Sequence, residues 1–77
     1  DWVHKLQRDG SPQVVEAVVE YLRCRGRWEA AAESLELHRN TLRYRVSSAE
    51  KMLGLDLTDP TTSSRLWLAL RSEGLAD

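Results

Sequence analysis

Both prolines of this 77-residue chain stand directly behind a residue that caps helices, in Ser11-Pro12 and Asp59-Pro60. A capping oxygen followed by Pro is a helix start. The side chain satisfies a free N–H of the first turn, and Pro, which has none, fits the first helical position. Gly26, Gly54 and Gly74 each close an apolar-periodic stretch, where a left-handed residue ends a helix. This punctuation cuts the chain into helical segments and leaves no alternating run that reads as a strand.

The segments follow from that frame. Asp1–Arg8 is short and weakly patterned, with Trp2, Val3 and Leu6 as its apolar positions, and Asp9-Gly10-Ser11-Pro12 is a break. A helix is predicted from Pro12 to about Arg25, with Val15, Val18, Val19 and Leu22 as its buried stripe and Gly26 as its left-handed end. A short Ala-rich helix covers about Trp28–Leu35, and Glu36-Leu37-His38 is a turn. A longer helix runs from about Arg39 to Leu53, with Leu42, Val46, Ala49 and Leu53 on one narrow face. Leu55-Asp56-Leu57-Thr58 is predicted to be extended, held down by its two leucines. The last helix starts at Pro60 and reaches about Ser72, with Leu66, Trp67, Ala69 and Leu70 as its apolar members. Trp67 is expected in the core, and Leu37, Leu42, Val46 and Leu53 are expected to be buried together. The fold class is all-α, four to five helices, with residues 1–11 as a linker or short leading helix and 12–77 as the domain.

Several function classes drop out. With 42% apolar and 30% charged residues the composition is that of a small globular domain. The longest apolar run, Leu66–Leu70, is far short of the roughly 20 residues a membrane span needs. No export signal opens the chain, so a cytoplasmic setting is expected. The start at Asp1-Trp2, without Met, reads as a fragment of something longer. Cys24 is the only cysteine, which excludes an internal disulfide and a cysteine zinc site and leaves a reduced thiol on a helix. His4 and His38 share no ligand spacing, and there is no phosphate-binding Gly loop or nucleophile motif. No cofactor, no metal and no enzymatic activity are therefore expected.

Charge is more informative by position than in sum. The formal net charge is −1, yet residues 38–45 hold Arg39, Arg43, Arg45 and His38 with no acid. A local basic patch on a near-neutral domain suits a specific binding surface, although a solvated face has the same look. The patch sits on Trp28–Ser47, a short helix, a tight turn and a longer helix. Ala31 and Ala32 are small where two helices would cross, Leu35 and Leu37 flank the turn, and Leu42 fills the gap. That order fits a helix-turn-helix, and helical hairpins share it.

The polar face sharpens the reading. At 100° per residue from Leu42, Asn40, Tyr44, Ser47 and Lys51 lie on the far side, with Thr41 and Arg43 on the flanks. Arg and Asn can fork onto guanine and adenine, and Thr and Ser can reach phosphates. Arg45 lies about 60° from the buried stripe, so an ion pair with Glu29, Glu33 or Glu50 competes with a phosphate contact. Arg23, Arg25 and Arg27 form a helix end that is solvated or touches flanking phosphates.

The string HRNTLRYRV, then LDLTDP and a terminal helix with LWLAL, resembles the C-terminal DNA-binding domain of PucR/CdaR-type bacterial transcriptional regulators over about Pro12–Leu70. The stretch is more distantly similar to Fis-type helix-turn-helix domains, whose recognition helix opens on Arg-x-Thr-Leu-Arg. The resemblance implies sequence-specific binding of double-stranded DNA, with the helix at about 39–53 in the major groove. It implies Arg39 as the base-edge reader with His38 beside it, and Thr41, Arg43 and Arg45 on the backbone or groove. Tyr44 stands where Fis-type domains tend to carry a base, so its role does not carry over. The DNA-binding set is thus His38, Arg39, Asn40, Thr41, Arg43, Tyr44, Arg45 and Ser47. The resemblance further implies a small-molecule effector sensed in an upstream domain, and self-association is expected through the full-length protein.

The chain departs from the pattern twice. Glu36 stands where such turns usually carry Gly, at a cost of about 1 kcal/mol if it is left-handed. Arg27-Trp28 stands where Ser or Thr would cap, and Trp28 is expected to pack back on the core. The rival reading is a helical protein–protein module whose Arg/Tyr face grips an acidic partner.

Overall fold

The computed structural model describes residues 2–76, and those residues hold five helices and no strand. They are α1 (Trp2–Asp9), α2 (Pro12–Arg23), α3 (Trp28–Ser34), α4 (Arg39–Leu53) and α5 (Pro60–Ser72). Both Pro-marked starts form as the chain dictates. The Ser11 hydroxyl accepts from Val14 N–H at 3.3 Å, and the Asp59 carboxylate accepts from Thr62 N–H at 2.9 Å.

Residues read as a linker or short leading helix form α1, which packs on α4 and α5 and buries Val3 and Leu6. Around them gather Val18, Leu42, Val46, Leu57, Leu66 and Leu70, all nearly inaccessible. Helix α4 packs on α2, α3 and α1, so its apolar stripe Leu42, Val46, Ala49 and Leu53 is covered from three sides. Ala17, Ala31 and Ala49 are completely buried and let the helix backbones approach closely.

The structure corrects several expectations. Helix α2 ends at Arg23, two residues early, because Arg25 is already left-handed at φ 56° and Gly26 follows at φ 81°. The Gly26 N–H donates to Tyr21 C=O and the Arg25 N–H to Leu22 C=O, which together make a Schellman end. Val15 is only half-buried, whereas Ala17 and Tyr21 are buried, so the covered face of α2 is wider than its valine stripe. Trp67 is half-buried, because Leu66 and Leu70, one turn apart, already take the inward positions. Leu37 is half-buried too, since it sits in the cap of α3, over the helix end. The segment expected to be extended turns instead at Leu57-Thr58. Asp56 accepts from the Thr58 N–H at 2.9 Å and from its hydroxyl. Glu50 Oε2 accepts from the Leu57 N–H at 2.8 Å and ties this loop to α4.

The turn between α3 and α4 keeps its shape without glycine. Leu37 N–H donates to Ala32 C=O at 2.8 Å and Glu36 N–H to Glu33 C=O at 3.1 Å, with Glu36 left-handed at φ 57°. Glu36→Gly should raise unfolding stability by less than about 1 kcal/mol, because the relief of the left-handed penalty is partly offset by the added freedom of the unfolded chain. Urea titration of both proteins checks this, and a loss of stability would mean that Glu36 holds the turn by a contact of its own.

Acid should weaken the last helix. The backbone and hydroxyl bonds from Thr62 hold the Asp59 carboxyl below its usual range. A folded value below the unfolded one stabilises fully above the ordinary Asp value of about 3.9, and the gain is lost as pH falls through the folded value. Asp59→Asn keeps a cap but not that titration, so its stability should fall less steeply between roughly pH 5 and 2. Equal slopes in urea titrations across that range would contradict the assignment.

Candidate nucleic-acid interface

The turn aims the start of α4 away from the core. Helix α3 lies across it, with Ala31 and Ala32 buried at the contact, and Leu42 fills the space beneath. With Leu42 and Val46 turned inward, His38, Arg39, Asn40, Thr41, Arg43 and Tyr44 are all exposed on one end of the helix. Tyr44 is the most exposed large apolar side chain, at 66%. Arg45 and Ser47 are half-buried, so the predicted set separates into six outward residues and two at its margin.

His38 has a role the sequence reading did not assign. It is the N-cap of α4, and its Nδ1 accepts from the Asn40 N–H at 3.0 Å. In the neutral ring the proton then sits on Nε2, which stays available as a donor. No acid occupies the first turn of α4, so the positive end of its dipole is left uncompensated beside Arg39 and Arg43. The first acid on α4 is Glu50, committed to the Leu57 N–H.

Two arginines are held from the neighbouring helix. Arg39 Nη1 donates to Glu29 Oε1 at 3.1 Å, across two side chains that are both more than half exposed. Such a pair is weak in water and opens easily. The Arg43 guanidinium carbon lies 5.5 Å from the centroid of the Trp28 ring. Trp28 packs back as expected, with its ring centroid 4.3 Å from that of the buried Tyr21. By its position Arg45 could pair with Glu29, Glu33 or Glu50 or meet a phosphate instead. It makes no ion pair among the described residues, and it is Arg39 that takes Glu29. Spacing along one helix could not have found these partners, because they join positions ten and fifteen residues apart on different helices.

Arg23 turns elsewhere, onto the buried Glu20 at 2.7 Å, while Arg25 and Arg27 are exposed at the turn before α3. The Cys24 thiol donates to Glu20, and burial, the Glu20 charge and that bond push it above its usual range, which suppresses the reactive thiolate. Among the described residues no cluster of His, Cys, Asp and Glu could hold a metal, and no helix is long and apolar enough to cross a membrane.

Residues 14–72 match the family described as the PucR C-terminal helix-turn-helix domain. The chain belongs to that family. Similar proteins include the purine catabolism regulatory protein of Bacillus subtilis, 39% identical over 71 residues, which covers 92% of this chain and 13% of the relative. The proline-responsive transcriptional activator PutR of Bacillus subtilis is 34% identical over 62 residues, or 80% of this chain and 15% of its own. An uncharacterised protein of Thermomonospora curvata is 49% identical over 45 residues, 58% of this chain and 25% of that protein. The chain thus spans a quarter or less of the length of these curated relatives. No solved structure matches the chain. The matched region includes α3, the turn and α4 entire, so the PucR-type helix-turn-helix is the same unit that presents the exposed arginines.

Proposed function

We propose that this PucR-type domain binds double-stranded DNA sequence-specifically, as the output domain of a bacterial transcriptional regulator, with α4 in the major groove. The observation that carries the reading is the start of α4, where six hydrogen-bonding side chains stand exposed around an acid-free first turn. Arg39 and Asn40 are the base readers. Their side chains reach out at the point where the helix first enters a groove, and both can make paired bonds to a base edge. His38, Thr41 and Arg43 hold the sugar–phosphate rim, with Tyr44 between them, and the half-buried Arg45 and Ser47 touch its margin. Membership of a family of regulator domains supports the reading, as do the regulator names of two relatives. Any small-molecule effector, and the pairing of two copies on DNA, belong to the parent protein as a whole.

One recognition helix contacts little surface, so the 77-residue chain alone should bind any duplex with a Kd of roughly 10⁻⁴–10⁻⁶ M. Titration of a fluorescent duplex at rising salt tests this. Affinity should fall steeply as counterions are released. Salt-insensitive binding, or none, would redirect the Arg/Tyr face to a protein partner.

A further inference from the structure

The first two residues of α3 each hold one arginine of α4, and they do so in different ways. Glu29 engages a hydrogen-bond donor of Arg39, its Nη1, so that donor must be released before it can meet another acceptor. Trp28 engages Arg43 through a ring. A ring attracts the cation electrostatically, and a guanidinium on an aromatic face keeps N–H donors free at its edge. Trp28 is itself fixed. It is half-buried, and its ring meets that of Tyr21, which is only 4% exposed, at an angle of 33°. A stack therefore runs from the core through an indole to an exposed cation.

Resting on the DNA-binding reading above, we propose that Trp28 is a positioning residue, whose indole sets the Arg43 guanidinium in place for a backbone phosphate. An unsupported arginine loses many rotamers when it binds, and that loss weakens binding. Held on Trp28, Arg43 has given up part of that freedom beforehand. The indole makes no DNA contact in this role, and it removes no charge from the interface.

The test has two arms. In the free chain, NMR should show the Arg43 side-chain methylene protons shifted upfield by the indole, and Trp28→Leu should return them to ordinary values. Unshifted protons in the unaltered chain would overturn the stack and leave the DNA reading intact. The second arm uses a random-sequence duplex of about two helical turns at low salt. Trp28→Leu should weaken binding about two- to fivefold with an unchanged salt slope, and Trp28→Phe should restore most of the loss. Arg43→Ala should lower the slope by about one counterion, and adding Trp28→Leu to it should cost nothing further. Equal losses from Trp28→Leu with and without Arg43, or a Trp28→Phe no better than Leu, would show that Trp28 acts by another route. If Arg43→Ala binds as the unaltered chain does, the phosphate contact and the role of Trp28 both fall. If the unaltered chain binds no duplex, the DNA reading falls with them.

Discussion

Leu42→Ala should destabilise the domain by about 2–4 kcal/mol. Leu42 is completely buried, one turn above Val46, and lies beneath the crossing of α3 and α4. Truncation leaves a cavity that close-packed neighbours cannot readily fill, because the α3 residues at the crossing, Ala31 and Ala32, are already small and buried. A domain of this size has only about 4–12 kcal/mol of stability in all, so the variant should sit near the edge of folding. Urea unfolding followed by circular dichroism measures the loss. Leu68→Ala is the control, since Leu68 is 62% exposed on α5 and should cost under about 0.5 kcal/mol. A Leu42→Ala loss no greater than that of the control would mean that the register of α4, and the interface built on it, is wrong.

Arg39→Ala should erase most of the preference of the domain for its best duplex over a scrambled one, about 1–3 kcal/mol of discrimination. Arg43→Ala should weaken both duplexes by a similar factor and reduce the salt slope by about one counterion. The Glu29 pairing shapes the readout. Removing Arg39 also leaves the Glu29 carboxylate unpaired at the interface, where it repels phosphate on any DNA. The ratio of affinities, not the affinity itself, therefore reports base reading. Titrations of each variant on both duplexes, the preferred one drawn by selection from a random pool, separate the two roles. Equal, salt-sensitive losses on both DNAs for Arg39→Ala would make it a phosphate contact. No loss for either variant would move the binding surface off α4.

Much of this was legible in the chain. The bounds of α4 follow from a Leu42, Val46, Ala49 and Leu53 stripe closed by Gly54, and the structure places it at Arg39–Leu53. Pro12 and Pro60 mark the starts of α2 and α5. These features depend on neighbours within one turn, which a sequence displays directly. The outward placing of Asn40 and Tyr44, with Thr41 and Arg43 on the flanks, follows from the same periodicity, whereas Arg39, about 60° from the stripe by helical spacing, is exposed because it opens the helix. Its limit shows at Ser47, which periodicity puts on the far side and the structure half-covers, as it does Arg45 at the edge of the buried face.

Local pattern therefore determined where the helices lie, which face of each is apolar, and which residue types stand at the start of α4. Only the tertiary structure decided which partners those residues have. Glu29 took Arg39 rather than Arg45, Trp28 took Arg43, and Glu50 went to the Leu57 N–H, each across a gap that no helical period spans. It also decided that Glu36 and Arg25 carry left-handed turns, since closing α3 and α2 at those angles outweighs a local penalty of about 1 kcal/mol. The physical reason is common to all of these. Helix periodicity reports contacts within an element, whereas ion pairs, stacks and strained turns are set by the crossing of elements, and that crossing is fixed by packing around the shared core.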